Sequence, residues 1–134
     1  MIHHVIRAAT RTSATPDEVE AVLESWRTMG RTIPAVRSSV VGRDLGGEYE
    51  IGAAFSVDDL DGLFEYLTHP DTFRTDALGL HLVEKLDIFD ISDDEDPDLY
   101  AKIQDLHRRR NELNPDVAQK LSDVPAYTGA GIED

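Results

Sequence analysis

The 134-residue chain contains no cysteine, and this absence excludes several kinds of site. A chain without thiols forms no disulfide bond, no thiolate metal centre and no thiol nucleophile. Long apolar runs are also missing, since none approaches the roughly 20 residues that a membrane-spanning helix needs. The residues after Met1 enter a strand pattern at once and do not resemble a signal peptide. We therefore expect a cytoplasmic protein that does not insert into membranes.

Positive charge is scarce as well. The sequence has 27 acidic and 13 basic residues, which gives a formal net charge of −14. Such a charge repels the phosphate backbone of nucleic acids and the surface of anionic membranes. We expect neither of them as a partner, and solubility is a sufficient explanation for the acidity.

The first 91 residues alternate between strand-like and helix-like patterns. Apolar residues recur at every second position in the strand segments and at every third or fourth position in the helix segments. The patterns predict strands at 2–10, 36–45, 48–57 and 81–91, helices beginning after Thr15 and after Asp58 or Asp59, and a short helix within 71–80. This order predicts an α+β fold of the split-βαβ type, in which helices cover one face of an antiparallel four-stranded sheet.

The composition changes after residue 91, and we assign residues 92–134 to a separate extension. Its acidic start, 92–96, is typical of a solvated linker. Asp96 and Asn114 each precede a proline, which is a start signal for a helix. The two short helices so predicted are expected to pack on the domain or on a partner subunit. Residues 127–134 contain two glycines and are expected to be mobile.

His4 is the most informative polar residue, because it alternates with apolar residues on the strand face that the helices should cover. A buried histidine needs a hydrogen-bond partner. It is therefore either a satisfied core residue or a residue that lines a cavity between sheet and helices. None of the five histidines has the spacing of a metal site. The sequence predicts no metal and no cofactor.

Three further side chains leave two interpretations open. Tyr66 lies beside an apolar helix stripe, so it is either a helix-edge aromatic or a residue whose hydroxyl reaches a polar group. Asp90 follows Phe89 in an apolar strand. It either reaches solvent, which the pattern slightly favours, or holds a partner. Trp26 is more typical of core packing than of ligand stacking.

The far face of the sheet should carry Arg7 and Glu50 together with small residues. The first and third strands are neighbours in this topology, and we predict that the two side chains form a cross-strand ion pair.

Several short motifs occur in one order along residues 1–91. They are IHHVI at 2–6, IPAV at 33–36, VGRD at 41–44, YLTHP at 66–70 and EKLDIFD at 84–90, with Tyr49 in the third strand. Together they resemble the stress-responsive A/B barrel family, called Dabb. The resemblance implies a ferredoxin-like fold that forms a homodimer through its sheets and so builds an α/β barrel.

One branch of that family, the plant polyketide cyclases of the olivetolic acid cyclase type, performs an aldol cyclisation with a histidine and a tyrosine beside an apolar pocket. The resemblance places the tyrosine on Tyr66, a supporting aspartate on Asp90 and a first-strand histidine on His4. The catalytic histidine of the branch falls on Thr72, and threonine cannot replace imidazole as a base. The resemblance implies a pocket lined by Leu23, Trp26, Ile51, Ala53 and Val83.

Three hypotheses for function follow. The first is a homodimer that binds a small apolar or aromatic molecule between helices and sheet. The second is a cyclase or isomerase that uses His4, Tyr66 and Asp90 as acid–base groups. The third is a stress-linked assembly protein without a ligand, in which the acidic extension mediates contacts.

Overall fold

The computed structural model describes residues 1–130, which form a five-stranded sheet with helices packed on one face. In chain order the elements are β1 (Ile2–Thr10), α1 (Pro16–Thr32), β2 (Ser38–Arg43), β3 (Ile51–Val57), α2 (Leu60–Thr68), α3 (Pro70–Gly79), a 3-10 turn (Leu80–Leu82), β4 (Val83–Ser92), α4 (Leu99–Leu113), α5 (Pro115–Ser122) and β5 (Ala126–Gly129). The strand order is β2-β3-β1-β4-β5. The first four strands are antiparallel, as predicted. The fifth was not predicted and runs parallel to β4, so the sheet is mixed.

Helix α1 begins where its sequence signals place it. The Thr15 hydroxyl accepts a hydrogen bond from the Glu18 backbone N–H, and the Glu18 carboxylate accepts one from the Thr15 N–H. This capping box satisfies two N–H groups that a helix start otherwise leaves unpaired. The helix then buries one stripe, Val22, Trp26 and Met29, against the sheet. Trp26 thereby lies inside the protein with only 6% of its surface exposed.

The connection between β2 and β3 is longer than the predicted two-residue turn, since the strands end at Arg43 and resume at Ile51. Gly46 adopts a positive φ of 97°, which glycine tolerates without strain. Asp44 follows β2 directly and is bound by Arg7, whose Nε and Nη2 donate to its carboxylate at 2.7 and 3.0 Å. This guanidinium lowers the pKa of the Asp44 carboxyl.

The predicted ion pair of Arg7 with Glu50 is wrong. Arg7 is bound to Asp44 instead, and the Glu50 carboxylate accepts hydrogen bonds from the N–H and the hydroxyl of Thr10 at 3.2 and 3.0 Å. The hairpin curls Asp44 back over the outer face of the sheet, where it outcompetes the more distant Glu50 for the guanidinium. A prediction from strand alternation alone does not include such a loop residue.

An apolar row crosses the outer face of the sheet, on the side without helices. It consists of Val5, Val40, Ala54 and Phe89, one residue from each of four neighbouring strands, and we call it the outer row. Phe89 follows Ile88 directly, so these two apolar residues lie on opposite faces of β4. The strand register is continuous there, and its one shift lies between Ala9 and Thr10. Apolar residues therefore occupy both faces of β4.

The extension packs on its own domain. Helix α4 contacts α2, and α5 contacts α3 and α4. Helix α4 begins at Leu99, two residues later than expected, because the Asp96 carboxylate accepts from the Asp98 N–H and pairs with Lys102 rather than capping the helix. Asn114 caps α5 as predicted, with its side chain accepting from the Val117 N–H at 3.2 Å.

Residues 127–130 are ordered, so the prediction of a mobile end is wrong for them. Tyr127 lies in β5 and its hydroxyl donates to the carbonyl of Ala130. Gly129 has a φ of 125°, and a Cβ at this position would lie 1.8 Å from the Ile88 carbonyl oxygen. The glycine therefore permits close pairing with β4, where the sequence suggested flexibility. Residues 131–134 of that prediction lie outside the described residues.

No helix among residues 1–130 combines the length and the apolar character that crossing a membrane requires.

Candidate functional site

The three residues proposed as acid–base groups lie together. The register of β1 and β4 sets His4 opposite Asp90, and His4 Nδ1 lies 2.8 Å from Asp90 Oδ1. The Tyr66 ring, on α2, meets the His4 ring edge-on with 5.1 Å between centroids. Their catalytic role stays a prediction, but their proximity is a property of the fold.

Asp90 does not reach solvent, contrary to the slight preference of the sequence pattern. Its side chain is 8% exposed and that of His4 is 2% exposed. Asp90 shares the strand face of the buried Leu86 and Ile88, and the hydrogen bond to His4 satisfies its carboxylate there. A histidine fixed in this way has an oriented ring, as an acid–base group requires.

Tyr66 is suited to donate a hydrogen bond rather than to act as a base. Burial raises the pKa of its phenol well above the usual value, and the charges of Asp76 and Asp90 act in the same direction. The phenol is therefore protonated near neutral pH. Its ring also packs on Phe55, with 5.0 Å between centroids.

The extension adds a second histidine to this cluster. His107 on α4 is fully buried, and its ring lies 6.1 Å from the ring of His4. Neither of its nitrogens has a hydrogen-bond partner among residues 1–130. Burial lowers the pKa of His107 to about 2, and the nearby charges of Arg110 and His4 contribute. His107 is therefore neutral at physiological pH.

A cavity of about 60 Å³ lies beside this cluster, between α1, α3 and the sheet. Its walls are mostly aliphatic, and the predicted residues Trp26, Ile51 and Val83 line it. Leu23 and Ala53, which the resemblance also placed on a pocket, do not line this cavity. Leu23 is partly buried at the edge of the core, and Ala53 is packed in the sheet. The ligand role of all five stays a prediction.

His4, Tyr66 and Asp90 do not line this cavity either. Two charged residues do so and were not predicted, namely Asp76 on α3 and Arg110 on α4. Burial raises the pKa of the Asp76 carboxyl to about 6, against the opposing effect of the charges of Arg110 and His4. The same Arg110 charge lowers the pKa of Tyr66 against the effect of burial. Asp76 and Arg110 thus couple the cavity electrostatically to the acid–base cluster.

Helix periodicity could have identified two of the missed residues. Ile103, Leu106, His107 and Arg110 have the spacing of one helix face, and all four are buried. Asp76 offers no such signal, because it stands between Thr75 and Ala77 in a helix of mixed polarity.

Thr72 and His69 hold the junction of α2 and α3. The buried Thr72 hydroxyl donates to the Tyr66 carbonyl at 2.5 Å. His69 follows the end of α2 and precedes Pro70, and its Nδ1 accepts from the Asp71 N–H at 3.0 Å, which caps α3. Thr72, on which the resemblance places the catalytic histidine of the polyketide cyclases, therefore contacts the backbone of α2 in this structure.

Residues 2–93 match the family described as Stress responsive A/B Barrel Domain, or Dabb. The chain belongs to the Dabb family. The resemblance drawn from the sequence motifs is therefore confirmed. The match ends before α4, so His107 and Arg110 lie outside the matched residues. No curated protein matches the chain significantly.

Solved structures with this fold include three informative neighbours. A dimeric ferredoxin-like protein of unknown function from Thermobifida fusca is 26% identical, with a TM-score of 0.63 over 68% of this chain and 89% of that protein. At3g17210 from Arabidopsis thaliana is 17% identical, with a TM-score of 0.62 over 71% and 97%. Hydroxynitrile lyase from Passiflora edulis is 10% identical, with a TM-score of 0.63 over 70% and 94%. These similarities confirm the ferredoxin-like fold.

Proposed function

We propose that this Dabb protein is a cytoplasmic homodimer that binds a small, mostly apolar molecule in the cavity between α1, α3 and the sheet. The observation that carries the proposal is the cavity itself. Its mostly aliphatic walls include two charged groups, Asp76 and Arg110. An apolar concavity with a few converging polar groups is the usual form of a small-ligand site.

The size of the cavity limits the ligand. Its volume of about 60 Å³ is several times the roughly 10–15 Å³ that one water needs on the same measure. It is far below the several hundred Å³ of a typical drug-sized site. A molecule with a handful of non-hydrogen atoms fits without movement of the walls, whereas a polyketide chain does not.

Trp26 provides a direct test, because it is the single tryptophan of the chain and lines the cavity. We expect small ketones and alcohols, added to the full ¹⁵N-labelled protein, to shift the indole N–H resonance in a saturable way. The Ile51→Phe variant should lose the shift, since the larger ring fills the cavity. The control Leu113→Phe adds the same ring at an exposed position of α4 and should keep it. A resonance that no compound moves would contradict the proposal.

The homodimer is supported by the outer row. Val40 is 66% exposed, and the neighbouring Leu45 and Ile91 are 74% and 59% exposed, so a contiguous apolar face lies open to water. Exposed apolar patches of this kind mark association sites. The Thermobifida fusca neighbour is described as dimeric. Two sheets facing each other through this row would cover it.

An acid–base activity is the second candidate, favoured by the contact of His4 with Asp90 and Tyr66. The Passiflora edulis neighbour is an enzyme, although its low identity supports only a shared fold. The same titration tests this candidate, because turnover would add product signals to the spectrum of the added carbonyl compound. Signals that persist in His4→Ala would exclude it. The assembly hypothesis has weaker support, since the extension packs on its own domain.

A further inference from the structure

We propose that the C-terminal extension completes the cavity with a polar end, in which Arg110 and Asp76 select neutral molecules that carry both a carbonyl oxygen and a hydroxyl group. The inference rests on the proposed function, since it names the class of molecule that the cavity would take. It assigns ligand recognition to a segment that lies outside the Dabb match at 2–93.

Arg110 is built into the cavity wall with unused hydrogen-bonding capacity. Only 4% of its surface is exposed, and it lines the cavity from α4. Its Nε donates to the Asn111 side chain at 3.1 Å, whereas Nη2 is buried and has no partner among residues 1–130. An unpaired buried donor of a charged group is more unfavourable than one of a neutral group. A ligand oxygen in the cavity would satisfy it once a small rotation of the guanidinium brings Nη2 to the cavity surface.

Asp76 supplies the complementary group. It is partly buried on α3 and lines the same cavity. Its carboxylate makes no side-chain hydrogen bond within residues 1–130, and it forms no ion pair with Arg110 within 4.0 Å. The two groups are therefore close enough to share a cavity and too far apart to satisfy each other.

The hydrogen-bonding chemistry of the pair defines the ligand. A guanidinium only donates, and an ionised carboxylate only accepts. A molecule that bridges them must offer an acceptor to Arg110 and a donor to Asp76. A carbonyl oxygen and a hydroxyl group on one short carbon chain meet both needs, while the chain itself contacts the aliphatic walls formed by Ile51, Val83 and Leu86.

Charge balance favours a neutral ligand over an anion or a cation. Arg110 and an ionised Asp76 contribute opposite charges to the same enclosed space. A bound carboxylate or amine would leave one uncompensated charge in a poorly hydrated cavity, which is unfavourable.

The test compares the binding of three molecules that have equal numbers of non-hydrogen atoms: 4-hydroxy-2-butanone, 2-pentanone and butyrate. Binding is measured by the shift of the Trp26 indole N–H resonance. We expect the hydroxyketone to bind about tenfold more tightly than 2-pentanone and butyrate to bind most weakly, because one or two buried hydrogen bonds distinguish them. Arg110→Met keeps an unbranched side chain and should reduce the preference to less than about twofold. Arg109→Met, the same substitution at the exposed neighbouring position, should retain it.

The outcomes separate this inference from the proposed function. Equal binding of hydroxyketone and pentanone would overturn the inference and leave the cavity as an apolar site. If butyrate binds most tightly, the proposed preference for neutral molecules over anions is wrong. If no compound shifts the indole, both proposals fail. Should Arg110→Met not fold, Asp76→Leu removes the other polar group and must also abolish the preference, otherwise the inference is wrong.

Discussion

His107→Leu is expected to stabilise the protein by about 1–3 kcal/mol near pH 7.5. Two buried ring nitrogens of His107 lack partners among residues 1–130, and an unsatisfied buried polar group has a cost of about this size. Leucine has a similar volume and suits the apolar face of α4, where Ile103 and Leu106 are also buried. Urea unfolding measures the difference. The same substitution at His81, which is exposed, should change stability by less than about 0.5 kcal/mol.

Acidification should widen the difference between wild type and His107→Leu. The pKa of His107 is about 2 in the folded chain and 6.5 in the unfolded reference. Below about pH 6.5, the unfolded state therefore binds a proton at this histidine that the folded state does not bind. The wild type therefore loses up to about 1.4 kcal/mol per pH unit from this group. Between pH 6.5 and pH 5 the gap should grow by about 2 kcal/mol. A constant gap would mean that the ring protonates within the folded protein.

Val40→Asp is expected to convert the dimer into a monomer. The outer row is the proposed contact between two sheets, and an aspartate from each subunit within this contact would be buried without a partner, which is strongly unfavourable. The monomer should tolerate the change, because Val40 is 66% exposed and measured strand preferences differ by only about 1 kcal/mol. Light scattering should give twice 14.9 kDa for the wild type and 14.9 kDa for the variant.

Leu113→Asp is the matched control for this measurement. Leu113 is 65% exposed on α4, in the extension, and its substitution should leave the dimer intact. A smaller mass for Leu113→Asp would instead support the assembly hypothesis, in which the extension mediates contacts. A wild type that is monomeric at micromolar concentration would contradict the proposed dimer.

The Dabb domain could be predicted because its signals are local. The capping box at Thr15 and Glu18, the alternation in β1 and the helix stripe around Trp26 each specify an element without help from distant residues. Strand β5 could not be predicted in this way. Its pairing depends on Gly129 approaching Ile88, a contact that joins two distant parts of the chain. Glycines in a short terminal segment indicate flexibility in the sequence, and only the fold shows that Gly129 packs against Ile88.

The candidate site was predictable to a similar extent. Strand alternation and the family resemblance identified His4, Tyr66 and Asp90 as candidates, and the fold places the three side chains together. Arg110 is the third of three consecutive arginines, and the run itself does not distinguish the buried one from the exposed ones. The helix face that Arg110 shares with Ile103, Leu106 and His107 does distinguish it. Its place in the cavity beside Asp76 depends on the docking of α4 and so could not be predicted locally.

The most direct test of the ligand site is a crystal of the full-length protein pressurised with xenon, which enters dry apolar cavities. We predict an anomalous peak within the cavity, against Trp26, Ile51 and Val83. A cavity filled by ordered side chains, with no xenon peak, would contradict the existence of the site.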